Sequence, residues 1–456
     1  MSVGRGAWGG HGLTRAGRMR EMGCVTRMDS TKQATRDLTV LFYYRKPGTY
    51  ALNALAGALE SDPVTAGIDM RFPGTLEELS REMERAASNS RVVLVGWSFY
   101  SPRFDSVSGE LAELKAGGPF DNVIHIAGGV HATAESEQTL KAGFDLVACG
   151  EGEEIIVELA KRLARGAGIE DIPGLALLRD GRIVRNGRGD LISLDAYPPF
   201  PTSGKMGPIE ITRGCIYSCR FCQTPFVSKA RFRHRSVANI CEHVRTLMSV
   251  GSRYYRFITP TSLSYGTDDE KPKLDAIEEL LAALRETVGP DGHLFYGTFP
   301  SEVRPEHVTP EALRLLKKYV DNNNLIIGGQ SGSQKVLDGA GRGHSVEAVE
   351  RAVRICLEEG FEPNVDFLFG MPGEELEDAQ ASARLARELS ELGARVHTHA
   401  FMPLPGTPFM NREAAVIDES VRRELDLLSS EGRAYGQWKR QIAVSDELAA
   451  RRRGSQ

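Results

Sequence analysis

Three cysteines stand close together in the run Gly214-Cys215-Ile216-Tyr217-Ser218-Cys219-Arg220-Phe221-Cys222. Thiolates are the usual ligands of iron-sulfur clusters, which normally take four of them. A tight group of three, with no fourth cysteine nearby, leaves one iron open, and an open coordination position is where chemistry happens. Two plainer readings compete. A zinc knuckle would want a fourth Cys or His ligand, and three unrelated core cysteines would need no common partner. Position argues against both, because the loop leaves an apolar run at 208–212 that reads as a barrel strand, and active sites of β/α barrels sit at the carboxyl ends of strands.

Two glycine-rich segments lie upstream, Gly128-Gly129-Val130-His131-Ala132-Thr133 and Cys149-Gly150-Glu151-Gly152-Glu153. Each follows a strand-like run, where a parallel sheet admits ligands at its carboxyl edge. Glycine there allows close backbone approach, although one Gly-Gly pair alone is weak evidence.

Those segments need elements to hold them. Leu38 to Tyr44 is a continuous apolar run, and similar runs recur at 67–72, 91–97, 122–127 and 144–148. Helical patterns fall near 50–59, 76–88, 105–116, 134–142 and 153–165. Unbroken apolar strands are covered on both faces, so a doubly wound, Rossmann-like parallel sheet is expected. A hairpin at 175–184 around Asp180-Gly181 and a Pro-rich crossing at 197–207 follow.

A second series starts at Pro208, with strands at 208–212, 254–258, 294–298, 325–328, 364–368 and 395–402. Helical patterns lie near 236–249, 273–287, 310–319, 346–359 and 376–391, which together suggest a partial (β/α)6 barrel. The expected divisions are a disordered extension over 1–37, in which Met28 could be the true start; a first α/β domain over 38–170; and a hairpin and linker over 171–207. A barrel over 208–410 and a helical cap with a solvated tail over 411–456 complete them.

At this point the cysteine loop resembles that of the radical S-adenosylmethionine (SAM) superfamily, whose motif is C-x3-C-x2-C after the first barrel strand with an aromatic before the last cysteine, here Phe221. The resemblance implies a [4Fe-4S] cluster on Cys215, Cys219 and Cys222, with SAM chelating the open iron. One electron, from an external donor such as flavodoxin or ferredoxin, then cleaves SAM to a 5'-deoxyadenosyl radical. It also implies SAM contacts after later strands. Thr259 and Thr261 stand where the family carries a Gly-Gly-Glu-like segment, a departure that leaves the partner of SAM's amino group open. Gln330 and Ser331 lie in a Gln-Ser-Gly-Ser segment near the ribose and carboxylate. Arg342 can pair with that carboxylate or be a solvated helix-start arginine, and Phe369 and Gly370 lie where the backbone meets the adenine. The Pro403 to Pro408 segment resembles the sixth-strand ends of cobalamin-type and methylthiolating members, though alone it is only a turn.

The front segments resemble the cobalamin-binding domain of B12-dependent radical SAM proteins. Ser98, Gly128, Gly129, His131, Gly150, Glu151 and Gly152 are the implied cobalamin contacts. The loop after the first strand, Tyr43-Tyr44-Arg45-Lys46-Pro47-Gly48, has no histidine for cobalt, and His131 reads as a peripheral contact or a satisfied loop histidine. Cys241 and Cys356 fall on apolar sides of helices, Cys149 borders the expected pocket, and Cys24 lies in the extension.

Three functions follow from this reading. The leading one is methylation of an unactivated carbon of a small-molecule or peptide substrate, with methylcobalamin supplying the methyl group. A second uses the same cofactors for cyclisation, oxidation or rearrangement. A third is a sensor without turnover, against which the SAM-type segments count. Composition sets outer limits. A net charge of -5 over 456 residues gives no field for nucleic acid. No apolar run approaches the roughly 18 residues of a membrane span. Seven cysteines, three of them clustered, suit a reducing cytoplasm rather than a disulfide framework.

Overall fold

The computed structural model describes residues 37–118, 120–179, 181–202 and 204–454. Residues 1–36 of the expected extension, with Met28 and Cys24, and Asp180 of the hairpin lie outside the described residues.

The first unit is a seven-stranded sheet of order β2-β1-β3-β4-β5-β6-β7. Its strands are β1 (Leu38–Phe42), β2 (Asp69–Arg71), β3 (Val92–Ser98), β4 (Val123–Gly128), β5 (Leu146–Ala148), β6 (Leu175–Arg179) and β7 (Arg182–Arg185). β1 to β5 pair in parallel, as the two-sided apolar runs require. Leu38, Val40 and Phe42 pack on one side against helices α1 (Thr49–Ser61) and α6 (Gly152–Arg165). Leu41, Val93, Val95 and Trp97 pack on the other, against α2 (Leu76–Ala87) and α3 (Phe104–Ala116). The expected helix at 134–142 is two short ones, α4 (Val130–Ala134) and α5 (Ser136–Lys141), meeting at Glu135.

The hairpin expected near 175–184 forms, but it is not a detached connection. β6 pairs antiparallel with β5 and so extends the front sheet. The chain turns at the β1–β3 junction, with β2 on the far side of β1. That is the switch point where such sheets open a crevice at their carboxyl edge. Here the loop after β1 closes hard on β3: a Cβ on Gly48 would stand 2.2 Å from the Ser98 carbonyl oxygen.

The second unit runs through β8 (Ile209–Glu210), β9 (Thr212–Arg213), α7 (Thr224–Val227), β10 (Arg233–His234), α8 (Val237–Ser249), β11 (Tyr254–Ile258), α9 (Leu274–Val288) and β12 (His293–Phe295). It continues with α10 (Pro310–Lys317), β13 (Asn324–Gln330), α11 (Gln334–Gly339), α12 (Val346–Glu358), β14 (Glu362–Phe369), α13 (Leu376–Leu392) and β15 (Arg395–Ala400). The six expected barrel strands are β8 and β11 to β15. They form two parallel groups, β12-β11-β8 and β13-β14-β15, joined by a bridge between Val303 and Ile327. Side-chain caps from Ser236, Thr309 and Ser345 start the helices where the sequence places them, and Ser333 caps α11, which the sequence pattern did not mark.

The end of the chain departs from the expected solvated tail. After α14 (Glu419–Ser430), β16 (Ala434–Gly436) adds a further parallel strand beside β15. Helix α15 (Trp438–Gly454) then returns to the front unit, burying Leu448 and Ala449. Its Arg451 and Arg452 pair with Asp105 and Glu135. An arginine-rich end reads as solvated in sequence; its acidic partners more than 300 residues upstream are visible only in the fold.

Candidate active site

Gly214, at φ +80°, starts the cysteine loop, and a Cβ there would meet the Arg231 carbonyl oxygen at 2.2 Å. The loop thus leaves β9 pressed against the chain entering β10. Cys219 is buried and Cys215 and Cys222 are half-buried, gathered with Tyr217, Phe221 and Phe232 in one small cluster. Arg220 N donates to Ala340 O at 2.9 Å and Phe409 N to Arg220 O at 3.3 Å. Gln223 Nε2 donates to Pro405 O at 2.8 Å, which ties the Pro403 to Pro408 turn to this loop.

Burial pushes the Cys215 thiol up to about 12 and raises that of Cys222. A thiol so buried is a poor acid alone, whereas a bound metal deprotonates a coordinating thiol outright. The gathering of the three cysteines in one small cluster fits a bound metal cluster. Among the described residues, the one set of three Cys, His or carboxylate ligand atoms within 4.8 Å of one another is that of Asp366, His397 and His399, not the cysteine triad. Cys356 is also pushed to about 12 by burial, yet it stands alone in the core, as does Cys241.

Arg342 is the polar neighbour of the triad. Its Nη1 lies 3.6 Å from Cys219 Sγ, Nη2 donates to Gly328 O at 2.7 Å and Nε to His344 Nε2 at 3.1 Å. Burial lowers the His344 pKa to about 4, so its Nε2 stays free to accept. Arg342 is neither solvated nor at a helix start. Gln330 follows a register shift in β13 and holds φ +71°, a backbone state that non-glycine residues keep where surrounding structure enforces it. Ser331 spends its hydroxyl locally, on Ser382 Oγ at 3.0 Å and Ser333 N at 3.1 Å. Phe369 is fully buried, and Gly370 (φ +75°) donates its N–H to Glu374. Thr259 Oγ1 donates to Thr261 O at 3.1 Å, while the buried Thr261 Oγ1 has no partner. An orphaned hydroxyl at the end of β11 fits a ligand there.

A cavity of about 490 Å³ opens between the two units. Ser98, Gly128, Gly129, Thr133, Gly150, Glu151 and Gly152 line it from the front sheet. Arg213, Gly214, Thr224, Thr259 and Pro300 line it from the barrel. Gly150, at φ +106°, would place a Cβ in open space, and Gly128 has room for one, so the glycines leave the floor clear. The cradle fits a large flat group. His131 is not part of this wall. It is fully buried between Phe99 and Phe104, with Nδ1 3.1 Å from Ser101 Oγ. Burial, then Arg451 and Arg452, lower its pKa to about 3.

Several site residues escaped the sequence reading. Arg233, which holds the expected Glu151, was not foreseen, nor was the pairing of Arg213 with Glu153 at 2.6 Å. Inside the barrel, Asp366 Oδ1 lies 2.9 Å from His397 Nδ1, which lies 3.1 Å from His399 Nε2. Their signal was polar residues alternating with the buried Val365, Phe367, Val396 and Ala400. Burial raises the pKa of Glu302, whose neighbours include Arg342 and Asp366.

Residues 209–386 match the family model of the Radical SAM superfamily, and residues 45–160 that of the B12 binding domain. The chain is a radical SAM protein with a B12-binding domain. Among solved structures it is similar to the radical SAM methyltransferase TsrM from Kitasatospora setae, with cobalamin and a [4Fe-4S] cluster bound. The TM-score is 0.65 and the identity 19%, covering 83% of this chain and 74% of that one. The cobalamin-dependent radical enzyme OxsB with aqua-cobalamin gives a TM-score of 0.60 at 15% identity, covering 76% of this chain and 51% of the other. Among curated relatives, the uncharacterized protein MK0932 of Methanopyrus kandleri is 24% identical over 208 residues, 44% of this chain and 38% of that protein's length. A tRNA-2-methylthio-N(6)-dimethylallyladenosine synthase of Zymomonas mobilis subsp. mobilis is 24% identical over 355 residues, 76% of this chain and 74% of the relative. No helix among the described residues is long and apolar enough to cross a membrane.

Proposed function

We propose that this B12-binding radical SAM protein is a methyltransferase acting on an unactivated carbon of a small-molecule or peptide substrate. The carrying observation is the shared cavity, which meets the glycine-lined edge of the front sheet on one side and the root of the cysteine loop on the other. Bound there, the cluster and SAM supply one-electron chemistry and cobalamin supplies methyl-transfer chemistry. The chain's part is position. Cys215, Cys219 and Cys222 hold the cluster, and Arg342 places positive charge on Cys219. Thr259, Thr261 and Gln330 are the SAM-side groups, while Phe221, Ser331, Phe369 and Gly370 shape the walls behind them. Ser98, Gly128, Gly129, Gly150 and Gly152 seat cobalamin at the edge of the front sheet that faces the cysteine loop. The similarity to TsrM, described as a methyltransferase, supports transfer over the other radical reactions.

The test needs no known substrate. Anaerobic protein loaded with iron, sulfide and reduced cobalamin is mixed with SAM, and S-adenosyl-L-homocysteine is quantified. The proposal expects its formation to depend on cobalamin. Bound cobalamin with no S-adenosyl-L-homocysteine formed would contradict methyl transfer.

A further inference from the structure

The cysteine loop is an excursion between two short strands, β9 and β10, whose register sets Arg213 directly opposite Arg233. Like charges at directly facing positions destabilise a ribbon. Both guanidinium groups are also withdrawn from water, with side chains 15% and 9% exposed. Neither strand carries a carboxylate: Glu210, at the end of β8, accepts from Arg213 at 2.6 Å, and the residue facing Arg233 on the ribbon is Arg213 itself.

The remaining charge comes from the other unit. Arg233 grips both carboxylate oxygens of Glu151, one at 2.9 Å, and Arg213 reaches Glu153 at 2.6 Å and Glu151 at 3.6 Å. Glu151 and Glu153 flank Gly152 at the start of α6 and line the cavity. Glu151 also accepts from Ile192 N at 3.0 Å, while Arg233 donates to Ile192 O at 2.8 Å, so the connecting segment is locked into the same network. Removing either partner of such a buried pair leaves the other charge uncompensated, so loss of Glu151 strands Arg233 and loss of Arg233 strands Glu151.

We infer that Glu151 and Arg233, with Glu153 and Arg213, form a charge clamp that closes the base of the cysteine loop only against the front unit, and so fixes the loop relative to the cobalamin cavity. The four are positioning residues. This rests on the reading that the cavity takes cobalamin. Three carboxylates, Glu151, Glu153 and Glu210, meet two guanidinium groups, so losing Arg233 does at least as much damage as losing Glu151.

The experiment uses the full chain with its cluster loaded. Cobalamin affinity is measured by absorbance, and the magnetic interaction between cobalt(II) and the reduced cluster by electron paramagnetic resonance. Glu151→Gln should weaken cobalamin binding by about tenfold or more, one such step in affinity, and weaken the magnetic interaction. Glu151→Gln with Arg233→Met should lose no more than either single variant, because the pair acts as one contact. Unchanged behaviour of Glu151→Gln would overturn the clamp. So would losses that add in the double variant, because Glu151 and Arg233 would then act independently. Should Glu151→Gln not accumulate as folded protein, Arg233→Met alone decides. A loss of about tenfold supports the clamp, and affinity within about threefold of the unmodified chain overturns it. No cobalamin binding by the unmodified chain would instead contradict the reading of the cavity.

Discussion

The Arg342 guanidinium lies 3.6 Å from Cys219 Sγ and is held there by Gly328 O and His344 Nε2. Hydrogen bonds to cluster sulfurs, and positive charge beside them, stabilise the more negative, reduced state and so raise the potential. Arg342→Leu should keep its iron and lower the cluster's reduction potential on the order of 60 mV, one tenfold step for a one-electron couple. Protein-film voltammetry checks this, and an unchanged potential would remove Arg342 from the account.

Cobalamin should be excluded by a side chain added to the cavity floor. Gly128 is the position to use, because its Cβ would meet nothing nearer than 3.9 Å and its backbone needs no positive φ. Gly128→Phe should fold, load iron normally and fail to bind cobalamin. Binding at the unmodified affinity would place the cofactor elsewhere.

His131 should set an acid limit on stability without touching cobalt. Its pKa is lowered to about 3 in the fold from an ordinary value of 6.5, so the unfolded chain gains the proton first. The neutral form's stability is fully present above pH 6.5 and is lost as pH falls towards 3. By pH 4 the loss is about 3 kcal/mol at 1.36 kcal/mol per pKa unit. His131→Phe keeps an aromatic ring between Phe99 and Phe104 and should flatten this part of the pH dependence in urea titrations. The cobalt(II) spectrum should stay the same. Nitrogen splitting that vanishes in the variant would show that His131 is a ligand.

Glu374 runs the opposite way. Burial pushes its carboxyl up to about 7, and its Oε1 has no partner. Folding therefore favours the protonated form, so this stability is present below pH 4.5 and lost as pH rises through 7. Glu374→Gln should be more stable than the parent at pH 8, by about 1 to 3 kcal/mol from the same conversion. The gain should disappear near pH 5. A constant difference across this range would mean that the carboxyl is not strained.

The order of elements was legible because each strand carries its own signal. The run Leu38 to Phe42 is apolar at all positions but Thr39, and the pattern at Tyr254 to Ile258 marks β11 to the residue. The cysteine loop was legible for the same reason: its chemistry is local. What escaped depends on distant pairing. Arg213 reads as an ordinary residue before a glycine until Glu153 is brought to it from 60 positions away. The helix at 438–454 looked solvated because its charged face hid the contact of Arg452 with Glu135. His131 looked like a pocket residue because it sits in a glycine-rich segment, yet the short helix after Gly129 turns its ring into the aromatic core.

Mössbauer spectroscopy of iron-57 protein, reconstituted anaerobically and recorded before and after SAM is added, tests the central claim most directly. Three thiolate ligands and an open position predict that SAM changes the signal of one iron and leaves the others as they were. Replacing Cys215, Cys219 and Cys222 with Ala should abolish the whole spectrum. Iron retained in that variant, or a cluster whose spectrum is indifferent to SAM, would contradict the account.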